Sequence, residues 1–192
     1  MNNTQELVNC ATDFKYFVDN YVKIVHPNYG QISINSGNCL EYMEKLLTNN
    51  EIIVPIESYD EINLVLAYIL WYGMFHQYKT IMIVSYNQII AKNILSSIKV
   101  MYESLPDNIK FKKLSIDNKT ELGFDNGTKI LASVADANTT RGIALSILYC
   151  YGLEYMKEKR RNQFSKAIWP TVTSTGTKLI LASSHEFKKR TP

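Results

Sequence analysis

The chain reads as one α/β domain with a mainly parallel sheet, and three observations predict this class. Short apolar runs of strand length, EIIVPI (51–56), KTIMIVS (79–85), SILY (146–149) and TKLILAS (177–183), are separated by longer segments with helical periodicity. A length of 192 residues is about one domain with a single sizeable core. Apolar residues make up 46% and charged residues 20%, an ordinary globular balance. Strands that alternate with helices form parallel sheets, whose ligand sites fall at the carboxyl ends of the strands.

Each element follows in order. Leu7, Cys10, Phe14, Phe17, Val18 and Tyr21 recur at helical spacing through TQELVNCATDFKYFVDNYVKI (4–24), and HPNYGQ breaks the pattern. NCLEYMEKLLTNN (38–50) predicts a second helix, and EIIVPI the first strand. Ser58 and Glu61 match the S-x-x-E capping box, which opens a long apolar helix over YDEINLVLAYILWYGMF (59–75). Its aromatic group Tyr68, Trp71, Tyr72 and Phe75 lies at helical spacing and reads as core or partner surface. KTIMIVS is a strand and NQIIAKNILSSIKVMYESL (87–105) a helix. TELGFDNGTKILAS (120–133) predicts a hairpin turning at DNG. After the SILY strand, LEYMKEKRRNQFSKAIW (153–169) is mixed and helical, and TKLILAS is the last strand. The whole of 1–192 is expected to be one domain, with 1–50 a helical and hairpin region before an α/β core over 51–192.

Composition excludes several classes. A net charge of +3 is too weak to argue for nucleic acid alone. Cys10, Cys39 and Cys150 are an odd number without C-x-x-C spacing, and they predict reduced core thiols. No apolar run is long enough to span a membrane, and the N-terminus lacks a basic segment followed by an apolar one. The expectation is a soluble cytoplasmic protein with no membrane contact. His26, His76 and His185 have no ligand spacing, so no metal is expected.

Two places should carry chemistry. The first is IIVPIESYDEINLV, laid out as strand, loop and helix start. A phosphate-binding loop there needs glycine for backbone approach, lysine for the outer phosphates and a hydroxyl for magnesium. The segment has no glycine between Glu51 and Tyr72 and no lysine between Lys45 and Lys79. It carries Glu57, Asp60 and Glu61 instead, which favour a helix N-terminus and oppose a phosphate. Each such carboxylate about 4 Å from a phosphate charge costs about 4 kcal/mol at a surface-like dielectric. The second place is the tip of the strand in SILYCYGLEY, where nucleotide-driven enzymes hold magnesium and polarise water with a pair of acids. Tyr151 and Gly152 stand there, and Tyr151 is protonated at neutral pH and a poor magnesium ligand. The nearest acid, Glu154, has two readings: a replacement for the lost base, or, favoured, a solvated carboxylate at a helix start.

The order of segments resembles the N-terminal ATPase domain of the large terminase subunit, the DNA-packaging motor of tailed phages. The most specific parts are YKTIMIVSYNQIIAKNILSSIKVMYESLP and NKTELGFDNGTKILASVADANTTRGIALSILY; CATDFKYFVDNYVKIVHPNYGQISI resembles the opening helix and hairpin, and GTKLILASS the coupling strand. The resemblance implies a P-loop-NTPase-like three-layer sandwich with an added β-hairpin, and in the family ATP and magnesium as cofactors. Its phosphate and metal motifs are degenerate here. The adenine-side glutamine falls at Cys39 and the phosphate loop on Ser58, Tyr59, Asp60, Glu61, Ile62, Asn63 and Leu64, with Ile62 at the lysine and Asn63 at the magnesium hydroxyl. The magnesium aspartate falls on Tyr151, the catalytic glutamate on Gly152, and the coupling motif on Ala182, Ser183 and Ser184. The nuclease domain that follows in the family is not within these 192 residues.

The expected function is therefore a terminase-like, catalytically inactive pseudo-ATPase, a binding or regulatory module in viral DNA packaging that binds neither ATP nor magnesium. Its expected partner is a packaging-motor subunit, a portal or another phage protein. The alternatives are a divergent active packaging ATPase, or a DNA-binding module that kept the fold. Arg141, in the family's Arg-Gly pair, has two readings: an arginine supplied in trans to a neighbour's site, or a side chain that bonds a nearby carbonyl and shapes the turn with Gly142. Lys157, Lys159, Arg160 and Arg161, with the tail cations Lys188, Lys189 and Arg190, are candidate contacts to double-stranded DNA, or solvated faces.

Overall fold

The computed structural model describes residues 3–26, 28–34, 36–110 and 113–184. Six helices and nine strands follow in order: α1 (Asn3–Thr12), α2 (Phe14–Tyr21), β1 (Lys23–His26), β2 (Gly30–Ser33), α3 (Leu40–Thr48), β3 (Glu51–Pro55), α4 (Tyr59–Phe75), β4 (Thr80–Ser85), α5 (Gln88–Ser104), β5 (Leu114–Asp117), β6 (Glu121–Phe124), β7 (Lys129–Val134), β8 (Ile147–Tyr151), α6 (Glu158–Thr175) and β9 (Lys178–Ser183). Short 3-10 turns precede α3 and follow β8. The main sheet has seven strands in the order β3-β9-β8-β4-β7-β6-β5, and β1 and β2 form a separate antiparallel hairpin. From β3 to β7 every pairing is parallel; β6 and β5 add an antiparallel hairpin edge.

Strand alternation divides the core into two layers. Ile81, Ile83, Ile147, Tyr149, Ile180 and Ala182 point to the face covered by α1 to α5, whereas Met82, Val84, Leu148, Cys150, Leu179 and Leu181 point to the face covered by α6. Buried on both faces, β8 and β9 therefore read as continuous apolar runs. Helix α4 is apolar on nearly every side because it lies between the sheet and a second helical layer. Phe14 packs at 5.5 Å on Tyr68 and 5.4 Å on Trp71, Phe17 at 5.9 Å on Phe75, and the Trp71 indole donates to Cys10 O at 2.7 Å. Tyr68, Trp71 and Phe75 of α4 are thus covered by the chain's own first helices, while half-buried Tyr72 stacks on His76 at 3.9 Å. All three cysteines are buried and free.

Three elements differ from the sequence expectation, one of them the helix expected over 153–169, which begins at Glu158 after a 3-10 turn and runs through Pro170 to Thr175. The first helical stretch is two helices, because Asp13 leaves the helical region and caps α2, accepting from Tyr16 N at 2.9 Å; its last residues, Lys23 and Ile24, belong to strand β1. Strand β5, an edge strand of four residues, lies outside the predicted hairpin.

The DNG turn also fastens α4. Asn126 Nδ2 lies 3.0 Å from Gly73 O, 3.1 Å from Met74 O and 3.0 Å from His76 O, which satisfies carbonyls that a helix end leaves free. Its Oδ1 accepts from Thr128 N at 2.9 Å, so one buried amide joins the end of α4 to the β6–β7 turn. Replacing Asn126 by Ala should cost about 1–3 kcal/mol, the cost of buried groups left unpaired. Asn126→Asp, which keeps the size but loses the donor, should cost a similar amount in chemical denaturation. A neutral result for both would refute the fastening role.

Candidate functional site

The carboxyl ends of four parallel strands meet in one crest. Pro55 of β3 pairs with Ser183 of β9, Tyr151 of β8 with Ala182, and Ser85 of β4 with Tyr151. Past the strands the pairing continues: Gly152 N donates to Ala182 O at 2.9 Å, and Ser85 Oγ to Tyr151 O at 3.0 Å. The loop 56–58 leaves β3 at one end of this crest and delivers the N-terminus of α4 to it.

That loop is a compact backbone turn. Ser58 N donates to Pro55 O at 3.2 Å, and Ser58 O accepts from Ile62 N at 3.1 Å. Ser58 occupies the N-cap position, but its side chain makes no capping hydrogen bond, so the predicted capping box with Glu61 does not form. The pattern names residue types, whereas a cap also needs the hydroxyl to turn toward the free N–H groups. Asn87 does this at α5, accepting from Ile89 N at 2.7 Å.

The remaining loop residues are committed elsewhere. Tyr59 donates from its hydroxyl to Val25 O at 3.3 Å and lies edge-on to His26 at 5.4 Å, which seats the β1–β2 hairpin against the start of α4. Ile62, at the lysine position, packs half-buried on the core. Asn63 Nδ2 donates to Tyr59 O at 2.8 Å and lines a small cavity with Ile24, Val25 and Met101, on the side of β1 and α5. Glu57, Asp60 and Glu61 pair with no cation among the described residues. Cys39, buried at this end, has its thiol pushed up to about 11, by burial first and then by the charges of Glu61 and Asp60.

At the crest centre, Tyr151 lies on the α4 face of the sheet, packed half-buried against the larger core. Burial holds its phenol above the ordinary value, reinforced by Tyr155, Tyr86, Glu154 and Glu57. Gly152 has left β8 altogether: its φ of +66° and ψ of 35° are left-handed. A Cβ there would lie 3.1 Å from both Tyr155 Cδ2 and Tyr86 Cδ1, two rings whose centroids are 5.2 Å apart. Backbone sign and the tyrosine pair both favour glycine over any side chain here.

Glu154 differs from the solvated carboxylate expected. Its Oε1 accepts from Ser184 N at 2.8 Å and Ser184 Oγ at 3.0 Å, while Oε2 is closed off from solvent with no partner among the described residues. The acid thus ties the turn after β8 to the residue after β9. Ser184 is one of the three coupling positions; Ala182 and Ser183 are buried strand residues. Neither this tie nor the two tyrosines around Gly152 shows in the pattern of the sequence. Tyr86 stands directly after a strand carboxyl end, and that position was the available signal.

The other candidates lie apart. Arg141 is exposed in the link from β7 to β8, and among the described residues its guanidinium has no hydrogen bond or ion pair. It therefore does not bond the nearby carbonyl of the expected turn; Gly142 at φ +75° shapes that turn by backbone alone. Lys157 is the N-cap of α6, followed by exposed Lys159 and Arg160; Arg161 reaches Glu154 O at 3.4 Å. His26 and His76 lie in separate aromatic contacts, and among the described residues no group of His, Cys, Asp and Glu could hold a metal. His185 and the tail cations Lys188, Lys189 and Arg190 fall outside the described residues. No described helix is long and apolar enough to cross a membrane.

The architecture is that of the large-terminase ATPase domain. The chain superposes on the large terminase of bacteriophage HK97 with a TM-score of 0.64 at 13% identity, over 91% of this chain and 37% of that one. It superposes on the large-terminase ATPase domain of Thermus phage P74-26 with a TM-score of 0.56 at 11% identity, over 69% and 58%. For the large terminase of thermophilic bacteriophage D6E, solved in complex with ADP, the TM-score is 0.52 at 11% identity, over 93% and 38%. The chain thus spans less than two thirds of each of these proteins. No sequence-family model matches it.

Two substitutions distinguish the backbone turns. Ser58→Ala should change stability by no more than about 0.5 kcal/mol, since no cap bond is lost. Gly152→Ala should cost about 1–3 kcal/mol from left-handed strain before any ring contact is counted. Thermal denaturation of both tests this, and a larger loss for Ser58→Ala would contradict the turn as described.

Proposed function

We propose that the chain is a pseudo-ATPase: a terminase-like phage module that binds or regulates partners in viral DNA packaging and does not hydrolyse ATP. The observation that carries this reading is the Gly152 turn. Where the fold's enzymes present a water-activating carboxylate, this backbone makes a left-handed turn that strains any side chain, and the neighbouring Tyr151 offers a half-buried phenol in place of a magnesium ligand. The nearest acid, Glu154, is engaged with Ser184. At the other end of the crest, a glycine-free turn with Glu57, Asp60 and Glu61 opposes a polyphosphate. A fold that keeps its core while its crest loses these groups is suited to protein association, and a motor subunit, a portal or another phage protein is the class of partner.

Steady-state phosphate release with ATP and magnesium is expected at background, with nucleotide affinity no tighter than millimolar. A variant carrying Ile62→Lys, Tyr151→Asp and Gly152→Glu together should also stay inactive, because glutamate at Gly152 meets both the left-handed backbone and the tyrosine pair. Turnover by the wild type that Glu154→Gln abolishes would overturn the reading in favour of a divergent packaging ATPase.

One observation favours a second reading, contact with double-stranded DNA. Lys157, Lys159, Arg160 and Arg161 stand at the positive end of the 18-residue helix α6, where they raise a field that the helix already makes positive. Duplex binding that weakens steeply with salt, and weakens further when Lys159 and Arg160 are replaced by Gln, would support it. Salt-independent or undetectable binding would remove it.

A further inference from the structure

A groove of about 500 Å³ lies between α5 and the β5–β6 hairpin, and the proposed function does not use it. It stands at the β5–β6 end of the strand row; β6 is five strand positions from β3, roughly 24 Å at ordinary strand spacing. Its floor is apolar, built by buried Leu95 and Leu122, and Ile89 stands at its rim with 66% of its surface exposed. Polar groups ring that floor: Lys92, Asn93, Ser96 and Lys99 from α5, and Asp117, Asn118 and Lys119 from the hairpin.

The charges in the ring are not equivalent. Lys99 is neutralised, with its ammonium 2.7 Å from Asp117 and 3.7 Å from Glu103. Asn118 spends its Oδ1 on Thr120 N and Glu121 N, at 2.9 and 3.0 Å, which fixes the turn that carries Lys119. Lys92 and Lys119 pair with no acid among the described residues. Two ammonium groups with no acid partner among the described residues therefore line one groove with an apolar floor, one carried on a helix and one on a fixed turn.

We infer that this groove docks an acidic segment of a partner protein, which seats an apolar side chain against Ile89, Leu95 and Leu122 and sets carboxylates on Lys92 and Lys119. The lining selects that occupant. No aromatic ring offers a stacking surface to single-stranded bases, and two free cations over an apolar floor are a poor match for a duplex backbone, which is read by many phosphate contacts. Buried leucines under a polar rim whose acid, Asp117, is taken up by Lys99 while Lys92 and Lys119 stay unpaired among the described residues fit a peptide anchor flanked by acids. This surface stands whether or not the crest hydrolyses nucleotide.

Panning the intact chain against a displayed library of random dodecapeptides tests the inference. Enriched peptides should combine acidic residues with a Leu, Ile, Met or Phe. The Lys92→Glu, Lys119→Glu double variant should weaken their binding by about tenfold or more, with its thermal unfolding unchanged. Peptides with those acids changed to lysine should regain affinity for the double variant. Neutral or basic winners, no enrichment over an unrelated protein, binding indifferent to the double variant, or displacement of the peptide by a short duplex DNA would each overturn it.

Discussion

The left-handed turn at Gly152 is the constraint on which the crest depends. It ends β8 at Tyr151, while the Gly152 N–H holds Ala182 O at 2.9 Å and so keeps β8 in register with β9 to its last residue. The turn then carries Glu154 back over β9, where its carboxylate takes the N–H and hydroxyl of Ser184. Tyr86, from the end of β4, closes against Tyr155 on the position a side chain at Gly152 would occupy. Three neighbouring strand ends are in this way fastened by protein groups alone.

The same logic holds at the start of α4. A phosphate-binding loop leaves its backbone N–H groups open to an anion. Here the turn from Pro55 to Ser58 closes by its own backbone, Tyr59 is held by the β1–β2 hairpin, and Ile62 packs inward on the core. Beneath the crest, the frame is conventional: a sheet apolar on both faces, a largely apolar α4 under a second helical layer, and α6 on the other side. The frame and the crest are therefore governed separately, since the core needs only shape and hydrophobicity whereas nucleotide chemistry needs particular groups at strand ends.

This separation explains what could be read from the sequence. The helices α4 and α5 and the strands β4, β8 and β9 were visible because burial imposes its period directly on their residues. The α/β class and the places of the crest followed from the same patterns, and the terminase-like fold from the order of segments. The break at Asp13 was hidden because Phe14, Phe17 and Tyr21 continue the apolar spacing across it. Strand β5 was hidden by its length and its half-buried edge position. At the site, residue types were readable but rotamers and long-range pairs were not. Ser58 looked like a cap and is none, and Glu154 finds Ser184 across 30 positions of sequence.

Amide hydrogen exchange at Gly152 and Ser184, followed with and without ATP and magnesium, tests the central claim most directly. Both N–H groups are held by protein acceptors, Ala182 O and the Glu154 carboxylate, so their protection should be high and the same in both conditions. A change in protection at either amide on adding nucleotide would show that the crest responds to ATP, and would contradict the account of a site fastened by its own residues.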